Sequence, residues 1–352
     1  MSEVVTVLGP VVPEALGITL MHEHLLIDLT GTFTAAQLPE LRPYQDLPVE
    51  AVPPDLLRQY PFSLCRDNVH LSDSATAIAE LQAFQAAGGT ALVDCTVEGI
   101  GADPAAVRAI AQQTGLHIVQ GTGFHIELNH PAWSFAADLG ELTERFTQDV
   151  LHGIGTTGVR AGLIGEIGTS GVSQQARVKQ GDMTAQEAKV LQAAGRAARR
   201  TGAAVAVHLD PRGQGAFAAI RLLQAEGVAP ERMIMCHMDA HPNLDYHRAV
   251  AAQGVYVEYD HFGREYYAGH LGRPYGLDTR RVELLQALVA DGYAEQVLIS
   301  QDVCCKLDLC RHGGVGYGHV LRTIVPRLRQ AGLSEADLDA ILVHNPRQVL
   351  TL

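Results

Sequence analysis

Basic charge is in short supply in this sequence. Its 26 Lys and Arg stand against 39 Asp and Glu, a formal net charge of -13. A nucleic-acid partner needs a basic footprint, so this balance argues against one. Long apolar runs are missing as well. None reaches the roughly 20 residues of a membrane span, which argues against a membrane partner. The start, Met1-Ser2-Glu3-Val4-Val5, has no basic segment followed by an apolar one. No signal peptide is expected from it, and a cytoplasmic location is. The six cysteines (Cys65, Cys95, Cys236, Cys304, Cys305 and Cys310) lack disulfide-framework spacing for a chain of 352 residues, which suits reduced thiols.

What is present is a globular composition, 47% hydrophobic and 18% charged, with enough length for a large core. The chain reads as one domain, 1–352, with an inserted loop region at about 29–70. That insertion is rich in proline and polar groups and has no clear period. A loop so long inside a domain is usually functional.

From Ser72 onward strands and helices alternate. Asp73 to Ala87 reads as a helix stopped by Gly88-Gly89, and Asp103-Pro104 opens another. Leu142 to Gly153, Thr184 to Thr201, Ala216 to Glu226, Leu244 to Gln253 and Arg280 to Asp291 read as further helices. Thr184-Ala-Gln-Glu187 is a capping box. Between them lie apolar strands at about 90–96, 116–124, 161–168, 204–210, 233–239, 255–260 and 296–302, after a first one at about 17–28. Continuous apolar strands joined through helices mean a parallel sheet buried on both faces. Eight such units favour an α/β architecture of the closed (β/α)8 TIM barrel type. An open doubly wound sheet is the alternative. No Gly-x-Gly-x-x-Gly follows the first strand, which weakens its dinucleotide-binding form.

Residues with metal-ligand chemistry fall at the ends of these strands. In Met21-His22-Glu23-His24-Leu25 the two histidines, two apart, project to one side and Glu23 to the other. Glu166 sits on strand four, His208 on five, His237 on six and Asp302 on eight. In a barrel these ends open on one face, where the active sites of this fold lie. Each residue alone has a plainer explanation, a polar group at a strand end or a helix cap. Six converging from five strands do not share one. Four imidazoles and two carboxylates exceed the needs of one tetrahedral zinc. They suit two divalent ions roughly 3.5–4 Å apart, bridged by a carboxylate and a hydroxide. Glu166 is the candidate bridge, with His22, His24 and Asp302 on one ion and His208 and His237 on the other. Zinc is the default for such a set, and Mn2+, Co2+ or Fe2+ also fit.

The segments Thr19-Leu-Met-His-Glu-His-Leu25, Gly162-Leu-Ile-Gly-Glu-Ile-Gly168, Val207-His208, Cys236-His-Met-Asp239, Glu258-Tyr-Asp-His-Phe-Gly263, Ser300-Gln-Asp302 and Gly313-Gly-Val-Gly-Tyr-Gly-His319 form a recognisable set. With them the chain resembles the phosphotriesterase-like branch of the amidohydrolase superfamily. Within it the nearest group is the phosphotriesterase-related proteins, also named parathion hydrolase-related or resiniferatoxin-binding. The resemblance covers Val4 to Thr351. It implies a binuclear centre on the same six residues. Many relatives bridge the metals with a carboxylated lysine on strand four. Here Glu166 stands there, and the nearest lysine, Lys179, follows the strand. In this the chain resembles the family's glutamate-bridged subgroup. Phosphotriester cleavage, associated with the lysine group, is then expected only as a promiscuous activity. A small-molecule substrate and a homodimer are the partners implied.

The expected chemistry is hydrolysis of an ester, lactone or amide by the bridging hydroxide, with Asp302 as both ligand and proton acceptor. His125, after strand three, stands where lactonase relatives carry a tyrosine. Tyr259, His261 and Arg264 follow strand seven and are expected at the same mouth, together with Asp260. A non-catalytic small-molecule-binding protein on the same barrel is the competing class, and an intact ligand set argues against it.

Overall fold

The computed structural model describes residues 2–175, 181–210, 214–268 and 273–352; Lys179 lies outside them. Eight strands form one sheet in strict sequence order: β1 (Thr19–Glu23), β2 (Ala91–Asp94), β3 (His117–Thr122), β4 (Leu163–Thr169), β5 (Val205–Leu209), β6 (Met233–Met235), β7 (Tyr256–Tyr259) and β8 (Val297–Ile299). Every recorded pairing between neighbours is parallel. The first and last strands meet where the Asp302 amide donates to the His22 carbonyl at 3.1 Å and the His22 amide donates to Ser300 Oγ at 3.0 Å. This is the (β/α)8 barrel. An open doubly wound sheet would instead reverse its strand order at a switch point.

Alternation along the strands builds two cores. Inward residues such as Met21, Val93, Leu163, Ala206, Ile234, Cys236, Tyr256 and Leu298 fill the barrel. Outward ones such as Val205, Val207, Met233, Met235, Val257 and Ile299 pack against the helices. The helical layer comprises α1 (Ser74–Ala86), α2 (Pro104–Thr114), α3 (Leu139–Leu151), α4 (Ala185–Thr201), α5 (Ala216–Ala225), α6 (Leu244–Ala251), α7 (Asp278–Ala290) and α8 (Val325–Gln330). Asp73 caps α1 through the amides of Ala75 and Thr76. Gly115 and Gly202 end α2 and α4 in the left-handed conformation that glycine tolerates best. No helix among the described residues is long and apolar enough to cross a membrane.

The capping box of α4 also organises the loop after β4. Glu187 is fully buried. Its carboxylate accepts from the Thr184 amide at 2.9 Å, the Glu127 amide at 3.1 Å, the Ser170 amide at 3.0 Å and the Gly171 amide at 2.9 Å. Replacing Glu187 with Ala strands these donors. A buried unsatisfied donor costs about 1–3 kcal/mol, so a loss on the order of 3 kcal/mol is expected, read from urea denaturation.

The 29–70 segment is ordered, though not regular. Turns at Pro39–Tyr44, Val49–Ala51 and Arg66–Val69 and a short helix at Pro54–Gln59 carry it across the mouth of the barrel. Its apolar residues, including Leu41, Val49, Leu57 and Leu64, pack with Ala240, Tyr266, Tyr275, Cys305 and Leu307 from the loops after β6, β7 and β8. The insertion is therefore one wall of the mouth.

Candidate metal centre

The six strand-end residues converge. Glu166 points inward from β4, between outward Ile164 and Ile167, and lies at their centre. Its Oε1 is 3.5 Å from His24 Nε2. Its Oε2 is 3.4 Å from His22 Nε2, 2.7 Å from His208 Nδ1 and 3.5 Å from His237 Nε2. Asp302 Oδ1 reaches His24 Nε2 at 3.3 Å. One carboxylate thus presents its two oxygens to different imidazoles.

Two of these residues need unusual backbone. His237 and Asp302 have φ of 61° and 53°, the left-handed region that non-glycine residues seldom enter. Such conformations gather at functional sites, where surrounding packing holds them.

The donor set fits divalent cations. His22 is fully buried, and neither ring nitrogen has a hydrogen-bond partner. An imidazole in that state is costly unless something else occupies its lone pair. Groups of three donors recur among these residues with ligand atoms within 4.8 Å: His22, His24 and Asp302; His22, Glu166 and His237; His125, Glu166 and His208. Charges are held in the ionised form that ligation needs. Burial alone would raise the Glu166 carboxyl, yet His208 and His22 hold it well below the usual range. Burial would likewise raise Asp302, but Arg264, His24 and His261 hold it low.

The centre floors a cavity of about 410 Å³. Phe33 and Phe62 from the insertion, with Leu128 and Val172, give it an apolar wall. His125, His261 and Arg264 line it too. His125 Nε2 is 3.8 Å from Glu166 Oε1, and burial with the nearby His208 pushes its imidazole down to about 3, so it is neutral. Its loop rests directly on β4. A Cβ on Gly168 would lie 2.2 Å from the Ile126 nitrogen, so only glycine admits this approach. Arg264 is committed to Asp302, with Nη1 3.0 Å from Oδ2 and Nη2 donating to the Asp302 carbonyl. His261 stacks on His237 and joins Asp302 Oδ2 (3.5 Å) to Asp239 Oδ1 (3.3 Å).

Tyr259 requires a correction. It does not line the cavity. On β7, Tyr256 faces the barrel interior while Val257 and Tyr259 face the helices. The Tyr259 hydroxyl lies 2.6 Å from His247 Nδ1 on α6. Period-two alternation sends its neighbours Glu258 and Asp260 inward instead. Asp260 then serves His237, accepting from its amide at 2.9 Å and lying 2.9 Å from its Nδ1, rather than facing the mouth. Tyr259→Phe is expected to keep kcat/KM within about twofold while losing about 1 kcal/mol of stability. A steady-state assay beside a denaturation curve checks both.

Sequence reasoning passed over two supports, Thr96 behind His24 (2.9 Å) and Glu258 behind His22 (3.5 Å). Strand parity could have found Glu258; Thr96 depends on how β2 lies beside β1.

An eight-stranded barrel with a carboxylate-centred imidazole cluster at its mouth defines a class, the metal-dependent hydrolases. The chain belongs to the phosphotriesterase family, whose profile matches residues 2–350. Human N-acetyltaurine hydrolase is 34% identical over 99% of this chain and 98% of its own length. The zebrafish (Danio rerio) N-acetyltaurine hydrolase is 33% identical with the same coverage. A resiniferatoxin-binding protein from Rhodobacter sphaeroides superposes with a TM-score of 0.93 at 35% identity, over 99% of this chain and 94% of that one. A phosphotriesterase homology protein from Escherichia coli, complexed with phosphate in its active site, gives 0.77 at 28% identity, over 96% and 99%.

Proposed function

We propose that this protein hydrolyses a carboxylic amide, ester or lactone at a glutamate-bridged pair of divalent metal ions. The observation that carries the reading is the convergence of His22, His24, His208 and His237 on the two oxygens of Glu166, with His22, His24 and Asp302 forming one compact donor group beside it. His22, His24 and Asp302 would hold one ion and His208 and His237 the other, with Glu166 common to both. Such a pair supplies an activated water and polarises the scissile carbonyl, and zinc is the first candidate.

The chain's own residues do the rest. Asp302, kept ionised by Arg264, accepts the proton as water attacks and returns it to the leaving group. His261 stands between Asp302 and Asp239, and Asp239 is itself held by buried Arg281 at 2.7 Å, so this row keeps His261 in place behind Asp302. Neutral His125 is placed to meet substrate at the cavity edge. The apolar wall of Phe33, Phe62, Leu128 and Val172 excludes water and receives the part of the substrate that does not react.

The names of the curated relatives make N-acetyltaurine the first amide to try. Phosphotriester cleavage is a side activity of the same centre in this reading. The test is turnover of N-acetyltaurine and an ester and lactone panel before and after chelation, with metal restored afterwards. Turnover lost on chelation and regained with zinc supports the hydrolase. Turnover indifferent to chelation overturns the metal-dependent reading, and no turnover with chelation-insensitive ligand capture leaves a binding protein. Light scattering tests the homodimer.

A further inference from the structure

On the barrel-interior side of His22 lie groups that the proposed chemistry does not use: Glu258, Asp260 and Cys236, whose ligand atoms fall with a His22 nitrogen inside 4.8 Å. Asp260 is engaged twice by His237. Glu258 is not engaged in this way. It is 1% exposed, its Oε1 has no hydrogen-bond partner, and its Oε2 faces His22 Nδ1 at 3.5 Å. A buried carboxylate without a full set of partners is expensive to keep. Its place inside the barrel beside His22 asks for a use.

The neighbouring histidines show the use. His24 sets Nδ1 2.9 Å from Thr96 Oγ1 and turns Nε2 toward Glu166. His237 sets Nδ1 2.9 Å from Asp260 Oδ1 and also turns Nε2 toward Glu166. His22 has the same polarity: Nε2 is 3.4 Å from Glu166, and Nδ1 faces the two interior carboxylates. Three rings from two strands are each backed by an oxygen behind Nδ1. Asp260 already has both oxygens on His237, which leaves Glu258 for His22.

We infer that Glu258 is the positioning residue of His22, which it backs from inside the barrel. It accepts the Nδ1 proton and so fixes the tautomer in which the Nε2 lone pair points at the cluster. Its negative charge makes that nitrogen a better donor to a cation. The inference rests on the reading that His22 holds a metal through Nε2. Direct ligation of a further ion among His22, Cys236, Glu258 and Asp260 is the competing use. It conflicts with the engagement of Asp260 and would require Nδ1 to lose its proton.

The experiment compares wild type with Glu258→Gln and Glu258→Asp as full-length protein. Zinc affinity and stoichiometry are read by competition with a chromophoric chelator, and thermal melting is read with and without zinc. Glu258→Gln is expected to bind zinc 10–100-fold more weakly at unchanged stoichiometry. Its metal-free form is expected to melt no lower than wild type, because a poorly partnered buried charge has gone. Glu258→Asp should fall between the two. Opposite effects on metal affinity and on metal-free stability are what a merely structural residue cannot produce. Unchanged zinc affinity overturns the inference. So does a parallel fall of affinity and metal-free melting temperature, which marks a packing role, or loss of one zinc equivalent, which marks direct ligation. Wild type that binds no zinc overturns the metal reading itself, an outcome distinct from any variant effect.

Discussion

Glu166→Gln is expected to lower bound metal from about two ions per chain to about one or none, with kcat/KM falling at least 10³-fold, on the order of 4 kcal/mol of transition-state stabilisation. Glutamine keeps the shape of the side chain and removes its charge. The lost charge matters because His22, His24, His208 and His237 all meet this one carboxylate within 3.5 Å. An amide also offers one acceptor oxygen where two are in use. Its nitrogen would face an imidazole nitrogen across a hydrogen-bond distance. Elemental analysis after reconstitution with zinc, beside a kinetic assay, checks the result. Full metal content in the variant would refute the bridging role.

Asp302→Asn separates ligation from proton transfer. The expected outcome is a fall in kcat of about 10²–10⁴ with most of the metal retained, since an amide oxygen still ligates but cannot accept a proton. Stability is expected to drop as well. Arg264 is buried, and Asp302 Oδ2 is its near anionic partner at 3.0 Å, with Asp308 farther off at 4.0 Å. Breaking a buried ion pair from one side costs about 3–5 kcal/mol because the other charge stays behind. Combining Asp302→Asn with Arg264→Gln should recover part of that stability and none of the activity. A variant with full metal and undiminished kcat would remove Asp302 from the proton path and leave it a ligand.

Much of this molecule is legible in one dimension for a physical reason. Parallel strands buried on both faces must be apolar throughout and must be separated by helices, so Thr90 to Thr96 or Ala204 to Asp210 announce themselves. Once the strands count eight, their ends share a rim, and polar residues at those ends become neighbours without any coordinates. That is why His22, His24, Glu166, His208, His237 and Asp302 could be named from spacing. Strand parity is also legible, and at β7 it separates Tyr259 from its neighbours. Glu258 inward means Tyr259 outward, and the hydroxyl found its partner in His247 on α6.

The sequence by itself determined the strand–helix order, and with it the barrel and the rim of candidate ligands. Only the tertiary structure decided what stands behind and above that rim. Thr96 supports His24, and Asp260 serves His237, because adjacent strands are staggered as they close, and stagger leaves no trace in either strand alone. Phe33 and Phe62 wall the cavity because an aperiodic insertion folds across the loops after β6, β7 and β8. Its path is set by packing against residues some 200 positions away, such as Tyr266 and Leu307. Local pattern records which way a strand faces; the meeting of distant loops depends on the whole barrel being closed.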